Sequence, residues 1–221
     1  MTHPHRLGIL GGTLDPMHFG HLDAADVARR ALDLDEVWFV PSHDPPHRPL
    51  DPVASPFHRF AMTSLAVSDH EAYRACDLEL RRAGSSYTVD TLRELHTQGW
   101  APSQLFFIIG VDAFAEVAAW RAYPDVLGAA NFAVISRAGL PAPQLAAQLP
   151  ELSARIATAG ITSATGTGTM IFPVEGRTRD VSSSLVRQRL RDRQSISDLV
   201  PAQVERHIMT HGLYGSGKQI A

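Results

Sequence analysis

Two short runs at opposite ends of the chain carry the residue types best able to do chemistry. The first is Gly11-Gly12-Thr13-Leu14-Asp15-Pro16-Met17-His18-Phe19-Gly20-His21. A glycine pair lets the backbone approach a ligand closely, and amides at a helix start attract phosphate. His18 and His21 add two imidazoles, each a neutral donor that can become a cation near neutral pH. The glycine spacing matches neither common phosphate loop: it is not G-x-G-x-x-G, and no Lys-Ser/Thr follows a second glycine. Histidines at i and i+3 could share a metal, but no evident cysteine or carboxylate completes a ligand set, so no protein-held metal is expected. Taken singly, Gly-Gly reads equally as a turn and each histidine as a surface cap. The second run is Val181-Ser182-Ser183-Ser184-Leu185-Val186-Arg187. Hydroxyls, helix-start amides and a guanidinium one turn in can clamp phosphate, or form an ordinary N-cap ahead of a solvated basic helix.

Elements must hold these runs in place. Leu7–Leu10, Val37–Val40, Leu105–Ile109, Phe132–Ile135 and Met170–Phe172 are short apolar runs bounded by breakers, and their near-continuous apolarity suits strands covered on both faces. Helix-period stretches alternate with them. One runs from about His21 to Leu32, with Leu22, Ala25, Ala28 and Leu32 inward. A second opens at Ser55-Pro56 and places Phe57, Phe60, Ala61 and Leu65 on one side. A third carries Val89, Leu92 and Leu95, entered from Ser85-Ser86 and stopped near Gly99. A fourth opens at Ser182 with Leu185, Val186 and Leu190 inward, and a fifth opens at Pro201, buries Val204 and Ile208, and ends at Gly212. The alternation predicts a single α/β domain over 1–221: a doubly wound Rossmann-like parallel sheet, helices on both faces, and a small C-terminal helical part. Ligands in such folds gather at the carboxyl ends of the strands. Residues 138–168, rich in Ala, Pro, Thr and Gly, read as an exposed insertion with some helix around 145–157, and 213–221 as a tail.

Composition narrows the chemistry further. The 221 residues are 44% hydrophobic and 19% charged, in the globular range, and 20 Lys+Arg against 23 Asp+Glu leave a net charge of −3. No bulk positive field exists to hold nucleic acid, so any phosphate site must be local. A single cysteine, Cys76, excludes an internal disulfide and fits a reducing compartment. The N-terminal apolar stretch is too short for a signal peptide and no 18-residue apolar run occurs, so a cytoplasmic protein without membrane partners is expected. Gly212-Leu-Tyr-Gly-Ser-Gly217-Lys218 nearly spells a P-loop, but Gln219 replaces the metal-holding hydroxyl and no helix follows, so it reads as a helix stop.

Strand, Gly-Gly-Thr, Asp-Pro and His-x-Gly-His in one run resemble the signature of the nucleotidylyltransferase superfamily, with Leu14 in place of the usual aromatic. The Val181–Arg187 run resembles its second signature, Ile-Ser-Ser-Thr-x-x-Arg. Further segments resemble the bacterial nicotinate-nucleotide adenylyltransferase family: Pro41-Ser-His-Asp-Pro-Pro-His47-Arg48, Ser86-Tyr87-Thr88, Ile109-Gly110-Val-Asp112 leading to Trp120-Arg121, and Ser136-Arg137. Ser42 and Asp44 stand where that family often carries Asn.

The resemblance implies attack of a phosphate monoester on the α-phosphorus of ATP with loss of pyrophosphate, the acceptor being nicotinate mononucleotide. It assigns catalysis to His18, His21 and Arg187. ATP would be bound by Gly11, Gly12, Thr13, Asp15, His18, Gly20, His21, Gly110, Asp112, Ser182, Ser183 and Arg187. Nicotinate mononucleotide would be bound by His47, Arg48, Tyr87, Thr88, Asp112, Trp120, Arg121 and Arg137. Trp120 would stack on the pyridine ring, and amides near Thr88 and Trp120 would meet the carboxylate. Mg²⁺ is the implied cofactor, held by phosphate and water. Residue by residue the plainer readings stand beside these: Trp120 as core, Pro-Pro-His-Arg as a rigid loop, Asp112 as a helix cap. Sibling transferases acting on nicotinamide mononucleotide or phosphopantetheine, or with CTP on a small alcohol phosphate, remain open, as do a non-catalytic nucleotide sensor and a homo-oligomeric state.

Overall fold

The structure, a computed structural model, describes residues 5–45, 53–136, 145–157 and 168–216. Its strands are β1 (Leu7–Gly12), β2 (Glu36–Pro41), β3 (Tyr73–Ala75), β4 (Leu105–Gly110), β5 (Asn131–Ile135) and β6 (Ile171–Val174). Its helices are α1 (Phe19–Leu32), α2 (Pro56–Val67), α3 (Thr88–Thr97), α4 (Val111–Phe114), α5 (Leu145–Gln148), α6 (Ser183–Arg191) and α7 (Ala202–His211). The strand order is β3-β2-β1-β4-β5-β6, and the registers from β1 through β4 and β5 to β6 are parallel. This is the Rossmann-like order anticipated from the alternation of runs. The five expected strands are present. β3 was not anticipated, because three residues carry too little periodicity to stand out.

The chain divides into two compact units interleaved in sequence. The first comprises 1–11, 23–38 and 87–178; the second comprises 12–22, 39–86 and 179–221. The first unit is built on apolar strands. Leu7, Ile9, Phe106 and Phe132 are fully or almost fully buried, and Phe132 meets Phe107 and Phe114 with ring centroids 5.9 and 5.5 Å apart. α3 buries Val89, Leu92 and Leu95, as its spacing required. Asn131, at the start of β5, is a buried polar clamp. Its amide donates to the Ser103 and Leu105 carbonyls and its oxygen accepts from the Met170 N–H, so each group finds a partner. The described part of the expected insertion is not wholly exposed. Leu145, Leu152 and Ala157 are buried, and helix gives way after Gln148 to a 3₁₀ turn at Pro150–Arg155, where proline supplies no N–H. The rest of that stretch, 138–144 and 158–167, lies outside the described residues.

The second unit packs α2 against α7 and β3. α2 starts as expected, with Ser55 accepting from the His58 N–H and Pro56 in the first turn. Its inward face differs from the expectation, however. Arg59, Met62, Thr63, Ala66 and Val67 are buried, whereas Phe57 is 84% exposed and Phe60, Ala61 and Leu65 are half-buried. The stripe is rotated because a buried arginine was not counted among inward positions. In α6, Ser182 caps by accepting from the Leu185 N–H, and Val186 and Leu190 are buried while Leu185 lies at the surface. α7 buries Val204 and Ile208 and ends on Gly212 in the left-handed region. The chain beyond it differs from a plain tail. Leu213–Gly215 forms a 3₁₀ turn with Tyr214 buried. Among the described residues no helix is long and apolar enough to cross a membrane.

Candidate active site

β1 ends on Gly12, whose carbonyl accepts the Ser42 N–H at 2.9 Å, and the chain then turns through Thr13–Met17 into α1. His18 precedes the helix and His21 is its third residue. Their rings stack at 3.6 Å between centroids. The His18 N–H donates to His21 Nδ1 at 3.3 Å, so a neutral His21 carries its ring proton on Nε2. Gly20 lets this pair form: a Cβ there would lie 3.1 Å from His18 Nδ1 and 3.3 Å from the Val181 carbonyl oxygen, both tighter than ordinary contact. The Phe19 and His21 amides donate to the Leu199 and His18 carbonyls. Those two first-turn donors are therefore engaged within the protein. No acidic residue occupies the first turn of α1 or of α6, so neither helix's partial positive end is neutralised by its own side chains.

The two signature runs come together within this second unit. Ser183 Oγ donates to the Pro16 carbonyl at 3.0 Å, and Arg187 Nη1 donates to the Asp15 carbonyl at 2.5 Å. Arg187 is nearly buried, its Nη1 lies 3.8 Å from Asp15 Oδ2, and its Nη2 meets Ser184 Oγ at 3.4 Å. The Ser183 hydroxyl and part of the Arg187 guanidinium thus lock one run to the other.

Asp15, grouped above with the ATP-binding residues, is turned inward. It is 1% exposed and accepts from the Val53 N–H at 2.7 Å, the Ala54 N–H at 3.3 Å and the Tyr214 hydroxyl at 2.5 Å. The structure gives it a positioning role. Burial, the Asp15 charge and the hydrogen bond to Asp15 all push the Tyr214 hydroxyl pKa well above the usual tyrosine range, so it stays a donor. Arg59, fully buried, donates to the Thr13, His43 and Ala54 carbonyls at 2.8, 3.1 and 3.3 Å. Burial lowers its pKa, and the neighbouring Asp15, Tyr214 and Glu79 oppose that. Neither Arg59 nor Tyr214 emerged from the sequence. The available signal was an arginine at 59 in helical register with Met62, Thr63 and Ala66.

In the first unit, Gly110 ends β4 and caps α4, with Asp112 in that helix's first turn. A Cβ on Gly110 would lie 2.9 Å from Asp112 Oδ1, so a larger residue there would displace the carboxylate. Trp120 is half-buried and held edge-on by Phe107 and Phe132, at 6.1 and 6.4 Å between centroids. Its own amide donates to the Val117 carbonyl at 3.0 Å. Tyr87 is the N-cap residue of α3 and Thr88 its first residue. The Arg121 guanidinium lies 4.6 Å from the Tyr87 ring centroid and 3.2 Å from Asp90 Oδ2. His47, Arg48 and Arg137 lie outside the described residues. Among the described residues no group of three or more His, Cys, Asp or Glu is placed to hold a metal ion.

Comparison with known proteins adds independent findings. The family model described as cytidylyltransferase-like matches residues 9–189. A probable nicotinate-nucleotide adenylyltransferase of Trichlorobacter lovleyi is 42% identical over 95% of this chain and 99% of its own length. One from a Synechococcus species is 40% identical over 95% and 96%. The solved structure of Plasmodium falciparum nicotinic acid mononucleotide adenylyltransferase complexed with NaAD superimposes with a TM-score of 0.73. It covers 97% of this chain and 99% of that one at 17% identity, a likeness of fold.

Proposed function

The chain belongs to the cytidylyltransferase-like family and, within it, to the nicotinate-nucleotide adenylyltransferases, and from that membership we propose that it transfers the adenylyl group of ATP to nicotinate mononucleotide, giving nicotinate adenine dinucleotide and pyrophosphate on the way to NAD. A phosphate oxygen of the acceptor forms a bond to the α-phosphorus of ATP while the bond from that phosphorus to the β-bridging oxygen breaks and pyrophosphate leaves. The nucleophile is already an anion, so no general base or activated hydroxyl is needed. Charge is the obstacle, since two like charges 4 Å apart repel by about 4 kcal/mol at an effective dielectric of 20. His18 and His21 carry the largest share of the remedy, as ring donors to the charge that grows on the α-phosphate. Arg187 and the α6 N-terminus meet the leaving phosphates. Alignment of the two substrates supplies roughly 7–11 kcal/mol more.

Mg²⁺ fits this donor set only as a passenger on the polyphosphate, because the carboxylate at the corner, Asp15, already accepts three hydrogen bonds. When bound it would neutralise phosphate charge. Trp120, on its aromatic props, would supply the ring platform, and Asp112, at the end of β4, a contact to ribose. Tyr87, Thr88 and Arg121 would complete the acceptor side. A cytoplasmic location belongs to the same proposal and is supported by the lone cysteine.

The observation that carries the reading is the joining of the two signature runs through Ser183 to Pro16 and Arg187 to Asp15. Pyrophosphate release from ATP or CTP, with each acceptor offered in turn, tests it. ATP with nicotinate mononucleotide should be preferred at least about tenfold over the amide, the discrimination expected of one hydrogen-bonding contact. Preference for phosphopantetheine, or no release at all, would refute it.

A further inference from the structure

We infer that Arg59 is a positioning residue for adenylyl transfer: its buried guanidinium fixes the nucleotide loop after β1 and the acceptor-side loop after β2 in one register. The inference rests on the functional reading above but goes beyond it, since Arg59 belongs to neither signature. The guanidinium reaches three separate stretches of backbone. Nη1 donates to Thr13, in the turn leading to His18; Nη2 donates to His43, in the loop leading to His47 and Arg48; Nε donates to Ala54, just ahead of its own helix. A lysine could not reproduce this, because its ammonium lacks the planar fork that serves several acceptors at fixed angles. All three acceptors are uncharged carbonyls, so the counter-charge comes from neighbouring carboxylates, Asp15 before Glu79, and the Asp15 oxygens hold Val53, Ala54 and Tyr214.

A charge buried this deep is weak evidence of stabilisation, because its desolvation offsets the attraction of neighbouring charges. Its geometry has a clearer use. In-line transfer requires the acceptor oxygen and the α-phosphorus to meet within a narrow tolerance, and a displacement of about 1 Å can cost roughly a hundredfold in rate. Arg59 donates to one carbonyl in each of the two loops that must hold that tolerance, and it is itself held rigidly in the core face of α2.

The test compares Arg59→Lys and Arg59→Met with the unaltered chain. Thermal unfolding and circular dichroism measure the folded fraction, and kcat and both KM values are taken per folded molecule. A positioning role predicts kcat reduced roughly a hundredfold in Arg59→Met. It also predicts KM for ATP and for the acceptor within about threefold of the unaltered chain, and kcat of Arg59→Lys between the two. The inference is overturned by kcat per folded molecule within about twofold of the unaltered chain, by losses confined to KM, or by failure of both variants to fold, which would make Arg59 a purely structural residue. The unaltered chain assayed alongside checks the underlying reading separately. If it uses a different acceptor, the choice of acceptor is wrong and the same comparison is made with the acceptor it does use.

Discussion

The two compact units build different kinds of interior. In the first, the strands bury apolar side chains against one another, and Trp120 is propped by Phe107 and Phe132 at the margin of that core. In the second, charged and polar groups go inside: Asp15, His18, Arg59 and Arg187 are all buried. A flat ring asks only for a rigid apolar surface, since every ring has a π-face to offer. A polyphosphate asks for donors fixed before it arrives, and donors stay fixed only if a second layer of polar groups restrains them. Among the described residues the buried charged side chains all lie in the second unit, the one that holds both signature runs.

The contrast can be broken most directly at the histidines. His18→Ala/His21→Ala should leave the circular dichroism spectrum unchanged and lower kcat by at least about a thousandfold, given roughly 10²–10³ for one donor of this kind. Near-normal turnover in the folded double variant would remove the imidazoles from the chemistry. A smaller but still large effect is expected in stability at Asp15. Asp15→Asn removes the carboxylate facing Arg187 and the nearest counter-charge of Arg59, and breaking a buried pair costs about 3–5 kcal/mol, measurable by urea unfolding. Tyr214→Phe, which deletes only one of the three bonds to that carboxylate, should cost about 1–3 kcal/mol. Equal losses in the two would show that charge is not what the second unit is managing.

The first unit should answer differently. Trp120→Ala should raise KM for the pyridine nucleotide by about 5- to 150-fold, from roughly 1–3 kcal/mol of stacking, with KM for ATP within twofold and stability nearly unchanged. A rise in KM for ATP alone would contradict the ring-platform role. The smallest effect concerns acid. Burial, then the neighbouring His211 and His58, hold the His207 imidazole below the ordinary histidine range. His207 Nε2 lies 3.1 Å from His58 Nδ1. The unfolded chain therefore takes up a proton that folded His207 resists, so stability present above about pH 6.5 should decline as pH falls through the lowered value. His207→Gln should flatten the dependence of the urea midpoint on pH below about 6.5, and an unaltered slope would locate the titration elsewhere.

Much of this architecture was legible from residue order. Short apolar runs became β1, β2, β4, β5 and β6, because a strand covered on both faces needs no alternation and little length. Ser55-Pro56, Ser182 and Gly212 marked helix ends, because capping is satisfied by atoms three or four residues away. The identity of the two signature runs was equally local, and so was the adjacency of His18 and His21.

What tertiary structure alone decided is which polar residues face inward. Asp15, expected among the ATP-binding residues, is buried and bonded to Tyr214, 199 positions away. Arg59 carried no apolar signal and is fully buried, while Phe57 was expected on the inward side and is exposed. Periodicity marks an inward face by its apolar members, and a charged residue can join that face only when partners distant in sequence satisfy it. Propensity is a property of neighbours along the chain, whereas the satisfaction of a buried charge belongs to whatever the fold brings beside it.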